Sequence, residues 1–269
     1  MKTIGRTPIS RKRTSDFERD GFIAGIPLLS QVQVSALIDG LEILMDHAQA
    51  KNPLFYEYNL NESKDRDRTL FHALGAWRVS EAFHDLIFFE PLIRYAETLL
   101  DGPVRFWHDQ VFVKPARHGS VVAWHQDYSY WTRTVPLAHL TCWIGLDDSN
   151  EENGCVQYVP GSHFWHLLPR GDLGNDMTAV FKHLNAEQMD AFQPVPAIMN
   201  AGEASFHHPM TVHGSYENRS DRPRRGVVVN FIKDGVRSNS NEPLLDGVPL
   251  IPMGEKIEGQ FFPLLSRPE

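Results

Sequence analysis

The sequence predicts a mainly β protein, a barrel or sandwich with flanking helices, and three observations lead there. Apolar residues recur at helical spacing through much of the first hundred positions. After Asp101 the texture changes to short alternating stretches rich in β-formers, each bounded by Gly, Pro, Asn or Asp. The 269 residues are 42% hydrophobic and 22% charged, which is enough apolar material for one large folded core.

The elements follow in order. Ser30–Ala50 opens on a serine cap, and Val34, Leu37, Leu41, Leu44 and Met45 then fall near one helical face. Ser80–Asp101 repeats the pattern, with Pro91 either starting a second helix or kinking the first. Between them, "KNPLFYEYNLNESKDRDRTLF" is polar and aromatic and reads as a long surface loop. Strands are expected in "PVRFWHDQVFVKP", "SVVAWHQD", "LAHLTCWIGLDD", "GCVQYVPGS", "ASFHHPMTVHG" and "RRGVVVNFIKD". The stretch Asp172–Phe192 reads as an insertion with a short helix near Ala186–Phe192. Without internal repeat or linker, the chain is expected to be one domain over 1–269. It has a helical part at about 16–101, a β core at about 102–235 and a C-terminal extension at 236–269.

Charge and cysteine content narrow the function. A formal net charge of −8 disfavours a nucleic-acid partner, because a phosphate backbone needs a basic face. Cys142 and Cys155 give neither a disulfide framework nor a CxxC pair, so a reducing, cytoplasmic compartment is expected. The leading "MKTIGRTPISRKRTS" is basic with no apolar run behind it, and no stretch approaches the length of a membrane span.

The chemistry centres on "AWHQDY". Side chains two apart on a strand share a face, so His125 and Asp127 both reach one cavity if this stretch is a strand end. Alone, an HxD is a common surface pair. His213, at the end of another apolar run, supplies a third ligand type, and two histidines with one carboxylate suit non-haem Fe(II) with an open face. Arg224, eleven residues after His213, is placed to grip a carboxylate, and the Ser215 hydroxyl lies two residues past His213.

Taken together, "WHQD", "ENGCVQYVPGSH" and "HGSYENRSDRPRR" closely resemble the phytanoyl-CoA dioxygenase family of Fe(II)/2-oxoglutarate oxygenases, and "DFERDGFIAGIPLLS" resembles its opening. The resemblance runs from about Asp16 to Ile232. It implies a double-stranded β-helix, a jelly-roll, cupin-like barrel. It implies His125, Asp127 and His213 as iron ligands and Arg224 and Ser215 as contacts to the far carboxylate of 2-oxoglutarate. Trp143 and Gln110 match further co-substrate positions. Fe(II), 2-oxoglutarate and O2 are the implied cofactor and co-substrates, with a small molecule hydroxylated and succinate and CO2 released. Related halogenases carry a small residue where Asp127 stands, so hydroxylation is the first expectation, with desaturation, ring closure or epimerisation as variants.

Strand alternation adds that His139, Thr141 and Trp143 share one face of "LAHLTCWIGL", while Arg224 and Arg225 must diverge. His139 is either a pocket residue or a satisfied core histidine, and His207 and His208 are expected to support the ligands rather than join them. Asp147-Asp148 reads as a solvated turn. The competing reading is a cupin-like isomerase or hydrolase using Zn²⁺ or Mn²⁺, which has no need of the Arg224 and Ser215 clamp.

Overall fold

The computed structural model describes residues 9–174 and 176–266; the first eight residues of the basic leading stretch lie outside them. Helices α1 (Arg11–Asp20), α2 (Gln31–Leu44), α3 (Glu81–Ile87), α4 (Glu90–Leu100) and α5 (Ala186–Ala191) flank the strands. The strands are β1 (Phe22–Pro27), β2 (Glu57–Asn59), β3 (Phe71–Leu74), β4 (Val104–Lys114), β5 (Val122–His125), β6 (Thr134–Val135), β7 (His139–Gly145), β8 (Val156–Tyr158), β9 (Val195–Pro196), β10 (Glu203–His207), β11 (His213–Ser215), β12 (Arg224–Lys233) and β13 (Arg237–Ser238).

A seven-stranded sheet runs β1-β10-β7-β12-β4-β3-β2 and faces a four-stranded sheet β5-β11-β8-β9. The named pairings are antiparallel. This is the jelly-roll, cupin-like architecture that the family resemblance implies.

The alternation of the strands decides what each face holds. On β12, Val227, Val229 and Phe231 enter one cluster with Leu140, Cys142 and Ile144 of β7 and with Leu37, Leu41, Phe83 and Leu92 of the helices. The intervening Val228 and Asn230, together with Arg224 at the start of the strand and with Thr141 and Trp143, line a cavity on the other side. The helices therefore cover one face of the large sheet and leave its inner face to the site.

Local chemistry sets the helix limits. Ser30 caps α2 with a reciprocal capping box through Gln33. The helix stops at Leu44, short of the expected Ala50, because Asp46 accepts from the Ala48 N–H and starts a separate 3-10 turn. Pro91 occupies the first turn of α4, where a missing N–H costs nothing, so it starts a second helix.

Two expectations need correction. The loop after Lys51 contains β2, which adds an edge strand to the large sheet and places Tyr56 in the interior. "ASFHHPMTVHG" is two strands, β10 and β11, which lie in different sheets.

Buried Asp109 anchors the turn after β3, its two oxygens accepting from the N–H groups of Gly75 at 2.9 Å and Trp77 at 2.7 Å. Asp109→Asn keeps the shape but turns an NH2 group towards one of these donors. We expect a loss of about 1–3 kcal/mol in unfolding free energy, read from the urea midpoint.

Candidate metal centre and co-substrate pocket

β5 and β11 are neighbours, with His125 and His213 in register as cross-strand partners. Their rings come to 4.1 Å between centroids. β5 ends at His125, and Asp127 begins a 3-10 turn that brings its carboxylate back beneath both rings. Asp127 Oδ1 lies 3.4 Å from His125 Nε2 and 3.6 Å from His213 Nε2. Ligand atoms each about 2.0–2.2 Å from one ion stand roughly 3–3.5 Å apart, so this spacing fits a shared metal.

The protons are set for the same purpose. His125 Nδ1 donates to the Ala123 carbonyl at 2.7 Å, and His213 Nδ1 donates to the Thr211 carbonyl at 3.0 Å. Each bond fixes the tautomer that turns a bare Nε2 towards Asp127. The second carboxylate oxygen is held from behind: Thr141 Oγ1 donates to Oδ2 at 2.6 Å, and His207 Nε2 at 2.9 Å. Burial pushes the Asp127 carboxyl up, but His213, His125 and His207 outweigh it and hold it well below the carboxylate range. Burial first, then His125 and His207, push the His213 imidazole well below its usual value. Two imidazoles and one carboxylate are the donor set a divalent iron takes.

His207 is thus a buttress of Asp127. His207→Ala removes one of the two donors to Oδ2 and is expected to weaken metal binding about 10–100-fold in a calorimetric Fe(II) titration. His208 accepts from the Met210 N–H and lies outside the cavity. His139 bonds Thr134 through Nε2 and stacks near Trp131, while its Nδ1 has no hydrogen-bond partner; it is a core residue that does not line the cavity.

A cavity of about 760 Å³ extends from this centre. His125, Asp127, His213, Arg224, Ser215, Trp143 and Gln110 all line it. Arg224 is 2% exposed, donates to the Gly154 carbonyl at 2.9 Å and to Ser215 Oγ at 3.3 Å, and sits 5.3 Å from the Trp143 ring. Its Nε has no hydrogen-bond partner, and no carboxylate pairs with it among the described residues. Burial lowers its pKa to about 10. Gly226 leaves room for the indole: an added Cβ would stand 2.5 Å from Trp143 Cζ2.

Lys114 is the residue that sequence reasoning missed here. It is fully buried opposite Arg224 in the β4–β12 register. Its amine donates to Ser215 Oγ at 2.6 Å and to the carbonyls of Ser215 and Tyr216. Burial, then Arg224, lowers its pKa well below the usual value. Ser215 Oγ accepts from both cations, so its own proton is the group it offers to the pocket. A buried guanidinium with no carboxylate partner among the described residues, beside a hydroxyl that Lys114 holds in place, fits an incoming carboxylate.

Arg225 diverges from Arg224 as alternation requires, but it is not simply solvated. It forms a two-point pair with Asp147 at 2.6 and 2.9 Å, so the expected solvated turn at Asp147 is a structural salt bridge. Tyr130 and Trp131 line the cavity, whereas Tyr128 packs beside it. Arg170 to Leu173 and, unforeseen, Leu244 to Asp246 complete the wall. Arg133 holds the latter by donating to the Pro243 and Leu244 carbonyls.

Comparison with known proteins adds family evidence. The family model described as "Phytanoyl-CoA dioxygenase (PhyH)" matches residues 17–226. The L-proline trans-4-hydroxylase of Streptomyces griseoviridis is 25% identical over 232 residues, covering 80% of this chain and 83% of that protein. The "Probable alpha-ketoglutarate-dependent hypophosphite dioxygenase" of Stutzerimonas stutzeri is 28% identical over 156 residues, 56% of this chain, and the match spans 53% of that relative's length. The crystal structure of SnoK, a non-heme alpha ketoglutarate dependent carbocyclase from nogalamycin biosynthesis, superposes with a TM-score of 0.78 at 22% identity. That match covers 98% of this chain and 99% of SnoK, and it is a likeness of fold.

Proposed function

This chain belongs to the phytanoyl-CoA dioxygenase family and is an Fe(II)/2-oxoglutarate-dependent dioxygenase, and from that premise we propose that it hydroxylates an unactivated C–H bond of a small metabolite or natural product. The proposal extends to the residues. His125, Asp127 and His213 hold the iron, and Arg224 and Ser215, backed by Lys114, hold the far carboxylate of 2-oxoglutarate. Trp143 and Gln110 flank the co-substrate, and the whole chain works as one cytoplasmic oxygenase domain. The observation that carries this reading is one cavity holding both a two-histidine, one-carboxylate cluster and a buried guanidinium with no carboxylate partner among the described residues.

Bound iron, with 2-oxoglutarate and O2, supplies the oxidising power that breaks the C–H bond, with succinate and CO2 released. The chain's part is positional. Ala123 and Thr211 carbonyls fix the two imidazoles. Thr141 and His207 hold Asp127 Oδ2 so that Oδ1 stays turned to the metal position. Arg224 fixes the co-substrate's far end, which sets its register on the metal. Trp107, Trp131, Phe112 and Leu244 wall the remaining space, so a substrate that fills it displaces water. Among the described residues no helix is long and apolar enough to cross a membrane.

Anaerobic addition of Fe(II) and 2-oxoglutarate tests this directly. A visible metal-to-ligand charge-transfer band is expected. A cupin-like Zn²⁺ or Mn²⁺ isomerase or hydrolase predicts no such band, and its absence would overturn the reading.

A further inference from the structure

A second cluster lines the same cavity. Glu57 stands on β2, His72 on β3, and Glu62 in the connection between them, which the Glu62 N–H closes on the Leu70 carbonyl. All three line the cavity, and their ligand-type atoms lie within 4.8 Å of one another. His72 is 4% exposed, and its ring lies flat on Phe112 at 4.3 Å, which fixes its plane. Its Nδ1 stands 2.5 Å from Glu62 Oε2, yet neither atom, nor His72 Nε2, has a well-formed hydrogen bond. A buried imidazole with both nitrogens unsatisfied beside a buried carboxylate oxygen is costly unless a ligand completes it.

Charge and geometry say which ligand. Neither Glu57 nor Glu62 pairs with a lysine or arginine among the described residues. Arg170 lies over the Tyr130 ring, and Arg133 is engaged with the carbonyls of Pro243 and Leu244. His72 Nδ1 and Glu62 Oε2, 2.5 Å apart, are too close to serve as two separate ligands of one ion, since such ligands stand roughly 3–3.5 Å apart, as in the Asp127 cluster. An ammonium group donates along three diverging directions and spans acceptors about 4.6 Å apart at about 2.8 Å each, and acceptor atoms of Glu57, Glu62 and His72 lie within 4.8 Å of one another, so it can engage both carboxylates without using that close pair together. The Tyr130 ring lies 5.9 Å from that of His125. Glu62, Tyr130 and Asp127 line the same cavity. Trp107, Trp131 and Tyr56 supply an aromatic wall beside them.

We propose that Glu57, Glu62 and His72 form an ammonium-binding site that anchors the substrate, which is a molecule with a protonated amine on an apolar body. This inference rests on the oxygenase reading and names the substrate class for it.

The test is calorimetric titration of the full-length, metal-free protein with matched probes: 4-phenylbutylamine, 4-phenylbutan-1-ol and 4-phenylbutanoate, and the three corresponding naphthyl compounds. The amine of each set is expected to bind at least tenfold tighter than the alcohol, and the acid more weakly still. Glu62→Gln should remove the amine's advantage while the alcohol's affinity changes less than twofold, which also reports an intact fold. The proposal is overturned if alcohols or acids match the amines, if no probe binds, or if Glu62→Gln leaves the preference in place. It is also overturned if Asp127→Ala protein binds Zn²⁺ at a site that Glu62→Gln abolishes. The anaerobic charge-transfer band, recorded on the same preparations, separates the two readings. A band without amine preference removes only the amine site, and amine preference without a band removes only the oxygenase assignment.

Discussion

Asp127→Ala is expected to abolish succinate formation, with a loss of more than about a hundredfold against the wild-type rate. The substitution removes the one anionic ligand from the cluster. It also leaves the Thr141 hydroxyl and His207 Nε2, which now donate to Oδ2 at 2.6 and 2.9 Å, without an acceptor. Two histidines alone are left in a pocket where burial already disfavours added positive charge. The measurement is succinate released from 2-oxoglutarate with added Fe(II), paired with a calorimetric metal titration. Retention of more than a tenth of the wild-type rate would mean that Asp127 is not a ligand.

Arg224→Ala should act differently, raising the 2-oxoglutarate requirement while leaving the protein able to bind Fe(II). Truncating one side of a buried, hydrogen-bonded charge pair costs about 2–5 kcal/mol, so half-saturation should rise roughly 30-fold or more. Lys114 and Ser215 remain, but the amine is already committed to Ser215 Oγ and to two carbonyls. A lysine at 224 should rescue only in part, because an ammonium lacks the planar two-point fork. Succinate formation measured against 2-oxoglutarate concentration checks this. An unchanged half-saturation value would remove Arg224 from the clamp.

The sequence makes the chemistry legible where it lies in short motifs. The HxD pair, His213 and Arg224 stand out by residue type, spacing and family resemblance, and they do meet in one cavity, while period-two alternation correctly separates Thr141 and Trp143 from Cys142 and Ile144. What stays hidden depends on strand register. His207 reaches Asp127 because β10 pairs with β7, setting His207 opposite Thr141, two positions from the pocket-lining Trp143. Lys114 reads as a strand-end lysine with solvent beyond, and only its pairing with Arg224 shows it to be interior. His72 lies in a stretch with no strand signal of its own, and Glu57 and Glu62 fall in what reads as a surface loop. They become pocket residues because β2 and β3 extend the large sheet past β4. The two helices at Ser80–Asp101 are legible because proline chemistry is local, whereas the early stop of α2 needed the Asp46 side chain to be seen.

Arg133 fastens Pro243 and Leu244, and so the wall they lead into, from outside the two sheets. One part of the cavity wall is consequently carried by a segment that holds none of the side chains of the His125, Asp127 and His213 cluster, so it can change while that cluster keeps its own residues. A library randomised over Leu244, Leu245 and Asp246 is therefore a natural starting point for redirecting this catalyst.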